Sequence, residues 1–271
     1  MKALTTEQKI HYILRLAVAM CFIGHGTFGI ITKEIWCNYF AVFGIGKSMA
    51  YTLMPWVGIV DILLGVTMLI FPMRAIALWL VFWGLVTASL RPASGEPFAE
   101  LLERAGNFGA PLALLILSGG LTGFKQLFSV INPNEKISAK AMESVANCLK
   151  VVVFLLLMGH GWLNIIEKKG LLNQYASLGF SHPAKVAIFA GVFEIAAACM
   201  VLIKPIRSFL IVLFIWKIST ELFYPHYEVF EWIERGGSYG SILALWFALK
   251  QVPANSIISF QKVLQNNKLS F

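Results

Sequence analysis

The stretch Phe22-Ile-Gly-His-Gly-Thr-Phe-Gly-Ile-Ile-Thr-Lys33 has a counterpart 135 residues further on, Met158-Gly-His-Gly-Trp-Leu-Asn-Ile-Ile-Glu-Lys-Lys169. Each closes an apolar run, and each is followed by three more apolar runs, so the chain reads as one four-helix module used twice. The runs of the first copy are residues 10–31, 49–71, 75–90 and 107–124, and those of the second are 148–166, 184–203, 208–224 and about 238–252. A bilayer core of ~30 Å at 1.5 Å per helical residue needs about 20 residues, which most of these runs supply or approach. The expected fold is therefore an all-α membrane protein with eight transmembrane helices. Four spans per copy return the chain to the side it started from, so the repeats are parallel. The expected units are a first repeat over 1–128, a connector over 129–146, a second repeat over 147–253 and an amphipathic tail over 254–271. In that tail Ile257, Ile258, Val263 and Leu264 suit a helix lying on the membrane surface.

The two copies match in order. Lys33 meets Lys168 and Asn38 meets Asn173; Gly58, Asp61, Pro72, Arg74, Trp83 and Thr87 meet Gly191, Glu194, Pro205, Arg207, Trp216 and Thr220. Further on, Glu100, Glu103, Arg104 and Gly106 meet Glu231, Glu234, Arg235 and Gly237. Two positions break the pattern: Gly84 and Ala88 become Lys217 and Glu221. Tyr224, His226 and Tyr227 likewise stand where the first copy has Arg91, Ala93 and Ser94. Polar chemistry is thus concentrated in the second copy, which is the expected active half.

Composition sets the class. Of 271 residues 58 % are hydrophobic and 13 % charged, and the mean hydropathy is +0.74, far too apolar for a soluble domain. The net charge of +8 is scattered over the ends of the apolar runs, which is a topological pattern and excludes a nucleic-acid partner. The N-terminus, the two Pro-x-Arg turns, the connector and the C-terminus hold 13 bases and three acids, against eight and eight in the opposite loops, which puts both termini in the cytoplasm. The first run carries His25 between glycines and no Ala-x-Ala cleavage pattern follows it, so it reads as a retained span. Cys21, Cys37, Cys148 and Cys199 form no CxxC and pair nowhere between the copies, which argues against a thiol relay or a zinc site.

Charge within a span costs roughly 2.5–3.5 kcal/mol per group, so Asp61, Glu194, Lys217 and Glu221 mark candidate chemistry. Lys217 and Glu221 share a helical face, and with Glu194 they are expected to form one buried network. His25 and His160 lack side chains on both sides, so a neighbouring helix or a ligand can approach the imidazole closely. Glu103-Arg104-Ala-Gly106-Asn107 and Glu234-Arg235-Gly-Gly237-Ser238 open the last helix of each copy, where free amides favour polar groups. The expected catalytic set is His160, Glu194, Lys217 and Glu221. The expected ligand-binding set is His25, Asp61, Trp216, Thr220, Glu234 and Arg235. A metal held by His160, Glu194, Glu221 and His226 finds no support, because the residues come from separate helices and Lys217 competes for the carboxylates.

The glycine-rich first helix ending in Gly-His-Gly and a lysine, the second helix with Glu194 and Leu202 running into a basic turn, and the polar residues before the fourth helix resemble the DoxX/DoxD-like membrane proteins. The resemblance implies a bacterial inner-membrane protein. Some members of that family are subunits of thiosulfate:quinone oxidoreductase, and others associate with redox enzymes. The expected function is binding of a small amphipathic molecule, with a quinone as the candidate, by a redox-associated subunit set in the lipid bilayer beside a membrane or peripheral redox partner. In that scheme Glu194 and Glu221 handle protons, Lys217 pairs with them, and His160 binds a ring carbonyl. No flavin, haem or iron–sulfur motif is present, so any electron donor is a partner or a soluble substrate. A proton-coupled transporter and a structural or assembly protein are the alternatives.

Overall fold

Every apolar run becomes a helix, because in a span only intrahelical bonding satisfies the backbone. The computed structural model describes residues 3–121, 123–223 and 228–251. Its helices are α1 (Thr6–Ile30), α2 (Trp36–Ala41), α3 (Lys47–Ile70), α4 (Arg74–Ala93), α5 (Ala99–Glu103), α6 (Ala105–Leu117) and α7 (Phe124–Leu127) in the first half. The second half has α8 (Ala139–Ile165), α9 (Lys169–Ser177), α10 (Pro183–Ile203), α11 (Arg207–Leu222), α12 (Val229–Glu234) and α13 (Gly236–Ala248). No strand forms among the described residues. The tail and Tyr224, His226 and Tyr227 lie outside them.

Five helices, α1, α3, α4, α8 and α10, are long and apolar enough to cross a membrane. The remaining three runs give shorter helices: α6 and α13 have 13 residues each and α11 has 16. The run at 107–124 stops early because Gly119 and Gly120 take positive φ values of 85° and 73°, which end α6. At its other end α6 is preceded by α5, with a break at Arg104 (φ −90°, ψ 15°), and α13 is preceded by α12 with a similar break at Arg235 (φ −80°, ψ 8°). The fourth run of each half is thus a broken helix with an arginine at the break. The charged stretch at 125–146 is only partly a connector, since α8 begins at Ala139 behind a Ser138 cap.

The halves interleave. α1 packs on α3 of its own half and on α12 and α13 of the other, while α8 packs on α10 and on α5 and α6. The main core lies between the halves, built from Ile10, Leu14 and Phe22 of α1, Leu114 of α6, Leu149, Leu156 and Leu157 of α8, and Ile242 and Leu245 of α13. At its centre α6 and α13 cross almost backbone to backbone: a Cβ on Gly106 would lie 2.6 Å from the carbonyl carbon of Gly237. The outer faces are apolar as well, with Trp56, Leu63 and Ile70 of α3, Trp79 and Phe82 of α4, and Phe189 and Val192 of α10 exposed. Large apolar side chains exposed along whole helices suit lipid and not water.

Candidate functional site

The two Gly-His-Gly helices end in the same unusual turn. Thr32 and Glu167 take φ values of 53° and 55°, a left-handed conformation that bends the chain back and aims the next residue, Lys33 or Lys168, at an acid of the opposite half. Lys33 pairs with Glu231, and Lys168 pairs with Glu100 at 2.6 Å. The first glycine of each motif admits that opposite half: a Cβ on Gly24 would lie 2.3 Å from the amide nitrogen of Glu234, and one on Gly159 would lie 2.2 Å from that of Glu103. Each histidine is therefore flanked by an acid helix supplied from the other half of the chain, an arrangement the matched sequences do not disclose.

In the second half the cluster closes on itself. His160 Nδ1 bonds the Glu194 carboxylate, whose other oxygen accepts from Trp216 Nε1 at 2.9 Å. Lys217 Nζ lies 2.6 Å from Glu221 and 3.8 Å from Glu194. The guanidinium of Arg235 bridges Glu221 at 2.9 Å and Glu103 at 2.8 Å. Arg104 holds Glu103 at 3.0 Å and Glu100 at 2.6 Å. Asn164, one turn beyond His160, donates to the His160 carbonyl and accepts from Tyr175 at 2.7 Å. Glu194, Lys217, Glu221 and Glu103 are all buried, and each has an opposite charge or a donor within reach. Charges placed this deep persist only when paired in this way. Glu103, His160 and Glu221 offer ligand atoms within 4.8 Å of one another, a spacing a metal ion could bridge, but Arg235 and Lys217 already neutralise the two carboxylates.

The first half is open at the corresponding place. His25 Nδ1 bonds Asp61 at 2.7 Å, and its ring lies 4.7 Å from that of Trp36. At the positions of Lys217 and Glu221 this half has Gly84, which packs against the Asn107 backbone, and the buried Ala88, and neither lines the cavity found here. A cavity of about 90 Å³ remains, lined by the aromatic rings of Trp36, Tyr39, Phe40, Phe43 and Trp83 and, at its polar end, by His25, Arg104, Asn107 and Glu234. One water needs ~10–15 Å³ of such space, so the cavity has room for a ring-sized molecule. Glu234 is 4 % exposed, and among the described residues no hydrogen bond or ion pair reaches its carboxylate. Burial pushes the Tyr39 phenol above its usual range, so it keeps its proton and donates to Glu96 at 2.6 Å, with Arg91 stacked on its ring. A second, polar cavity of about 270 Å³ shares Trp36, Arg91, Arg104 and Glu234 with the first and adds Lys33, Lys168 and Arg235. It forms a charged vestibule to the apolar one.

The structure thus brings His160, Glu194, Lys217 and Glu221 together with Trp216 and Arg235, but none of these lines the apolar cavity. His25 and Glu234 do, Asp61 reaches it through His25, and Thr220 is turned back to the Trp216 carbonyl at 2.9 Å. Sequence reasoning missed the cavity walls contributed by α2. Trp36, Tyr39, Phe40 and Phe43 follow i, i+3, i+4, i+7 spacing, the signal of an apolar helical face that was available there. It also missed Asn164, which sits one turn from His160. No family model matches the chain, and neither a curated protein nor a solved structure matches it.

Proposed function

We propose that the chain is a bacterial inner-membrane protein of the DoxX/DoxD-like kind, with eight spans in two parallel four-helix repeats and both termini cytoplasmic. It binds one small amphipathic ring molecule, a quinone being the candidate, as a redox-associated subunit. The observation that carries this reading is the aromatic cavity of about 90 Å³ with His25, Arg104, Asn107 and Glu234 at one end. Apolar walls with a few convergent polar groups are the usual form of a small-molecule site. Each broken helix counts as one span: α5 with α6 covers residues 99–117, and α12 with α13 covers 229–248. Non-helical backbone at membrane depth is tolerated where it lines a cavity, and both breaks adjoin the vestibule through Arg104 and Arg235.

On this reading the ligand site belongs to the first repeat, and the closed cluster around Lys217 is its support. The closed cluster also favours the assembly reading as runner-up, because a fully paired network can serve only to fix helix pairing. To separate the two, the protein is purified in native lipid discs and its bound small molecules are identified by mass spectrometry, for wild type and for His25→Ala with Trp36→Ala. A stoichiometric quinone-like molecule lost in the variant supports binding. A wild type that carries nothing, and does not take up added decylubiquinone, leaves the assembly reading standing.

A further inference from the structure

The two tryptophans at matched depth differ in one respect. Trp216 Nε1 donates to Glu194 at 2.9 Å, whereas Trp83 Nε1 is buried with no hydrogen-bond partner among the described residues. The cause is the length of the acid on the facing helix. Glu194 reaches both His160 and Trp216, one with each carboxylate oxygen. Asp61 is one methylene shorter, about 1.5 Å of reach, and its carboxylate stays with His25. A buried indole N–H without a partner is destabilising, so it is a feature to be explained and not a neutral one.

Trp83 also lines the apolar cavity, as does Glu234, whose carboxylate accepts no hydrogen bond among the described residues. A donor and an acceptor, each without a hydrogen-bond partner among the described residues, thus belong to side chains that line the same aromatic-walled space. We infer that the Trp83 indole N–H is the hydrogen-bond donor to a bound ligand, which is a neutral ring bearing a carbonyl oxygen. A hydroxyl on the same ring, or a water, donates to Glu234. The Asp61/Glu194 difference then selects which repeat binds: Asp61 leaves the donor free, and Glu194 consumes it. This assignment rests on the proposed ring-binding site and adds the atom that recognises the ligand.

The test uses the full chain in lipid discs, with decylubiquinone as probe, native mass spectrometry for affinity, and the indole N–H resonances of ¹⁵N-tryptophan protein for the bond itself. Trp83→Phe is expected to weaken the probe about fivefold, the size of one neutral hydrogen bond. Asp61→Glu is expected to weaken it similarly, because the longer acid accepts the hydrogen bond from the indole N–H. The double variant is expected to be no weaker than either single one. In the spectrum, the Trp83 resonance should move to a bonded position in Asp61→Glu without any probe, and in wild type only on adding probe. Both single variants binding as wild type, with helical content intact, overturns the inference. So does a Trp83 resonance already at the bonded position in ligand-free wild type. If wild type binds no probe but the Asp61→Glu shift occurs, the quinone reading fails while the open donor stands, so the two failures are distinguishable.

Discussion

Lys217 is buried at 2 % exposure, with its ammonium 2.6 Å from Glu221 and 3.8 Å from Glu194. Removing one member of a buried ion pair costs roughly 3–5 kcal/mol, mostly because the other charge is left without compensation. Here the cost falls at the lower end, because the partners have other contacts. In Lys217→Met, Glu221 keeps Arg235 at 2.9 Å, and Glu194 keeps His160 and the Trp216 N–H. About 3 kcal/mol is expected, more than a hundredfold in the folding equilibrium. Among the described residues, Glu221→Gln leaves Lys217 with Glu194 at 3.8 Å and removes one of the acids on Arg235, for a similar loss of about 3 kcal/mol. In Lys217→Met/Glu221→Gln both charges leave together, so the double variant should be no worse than either single one, a coupling energy of about 2–3 kcal/mol. The assay is reversible unfolding of the four proteins in mixed lipid–detergent micelles, followed by tryptophan fluorescence. Single-variant losses that simply add, within about 0.5 kcal/mol, would refute the claim that the two residues act as one buried pair.

Gly159→Ala places a Cβ 2.2 Å from the backbone nitrogen of Glu103, so α5 must move outward by about 1 Å, and a stability loss of about 2–3 kcal/mol is expected by thermal shift; an unchanged midpoint contradicts the close crossing. His25→Ala removes the group that anchors Asp61 and borders the cavity, so it should lower uptake of decylubiquinone and, by leaving the buried Asp61 carboxylate without that partner, cost roughly 1–3 kcal/mol of stability; equal loss of uptake in His160→Ala, which strands Glu194 in the same way but away from the cavity, would point to general damage instead. Lys33 is about a third exposed, so Lys33→Met should cost under about 1 kcal/mol, whereas Lys168→Met strands the almost fully buried Glu100 on its remaining arginines and should cost more; the reverse order in a denaturation series would show that exposure does not set the value of these pairs.

Much of the helical layout follows from local sequence. Runs of about 20 apolar residues have few alternatives to a helix in lipid, and the turns between them are marked by Pro72, Pro205 and the glycines after α6. The Lys217–Glu221 contact follows from i, i+4 geometry alone. The recurrence of Gly-His-Gly and the in-span acids point to helices whose histidines and acids the structure brings into contact. It did not say which half would be open.

That depended on contacts between residues far apart in sequence. The sequence shows that Lys217 and Glu221 replace Gly84 and Ala88, and the natural inference is that more charge means more chemistry. Packing adds what that inference lacks: the added charges find partners in Glu194, Arg235 and each other, while the cavity lies in the first half, walled by Trp36, Tyr39, Phe40, Phe43 and Trp83 and not by Gly84 or Ala88. Nor does local sequence reveal that Glu234 sits beside Gly24 and Glu103 beside Gly159, because each contact joins opposite halves across the interleaved core. Periodicity determines which residues are helical and which face is apolar, since both depend on neighbours within one turn. Whether a buried charge is paired, or a donor left free for a ligand, is set by ångström-scale reach between separate helices, and only the tertiary structure decides that.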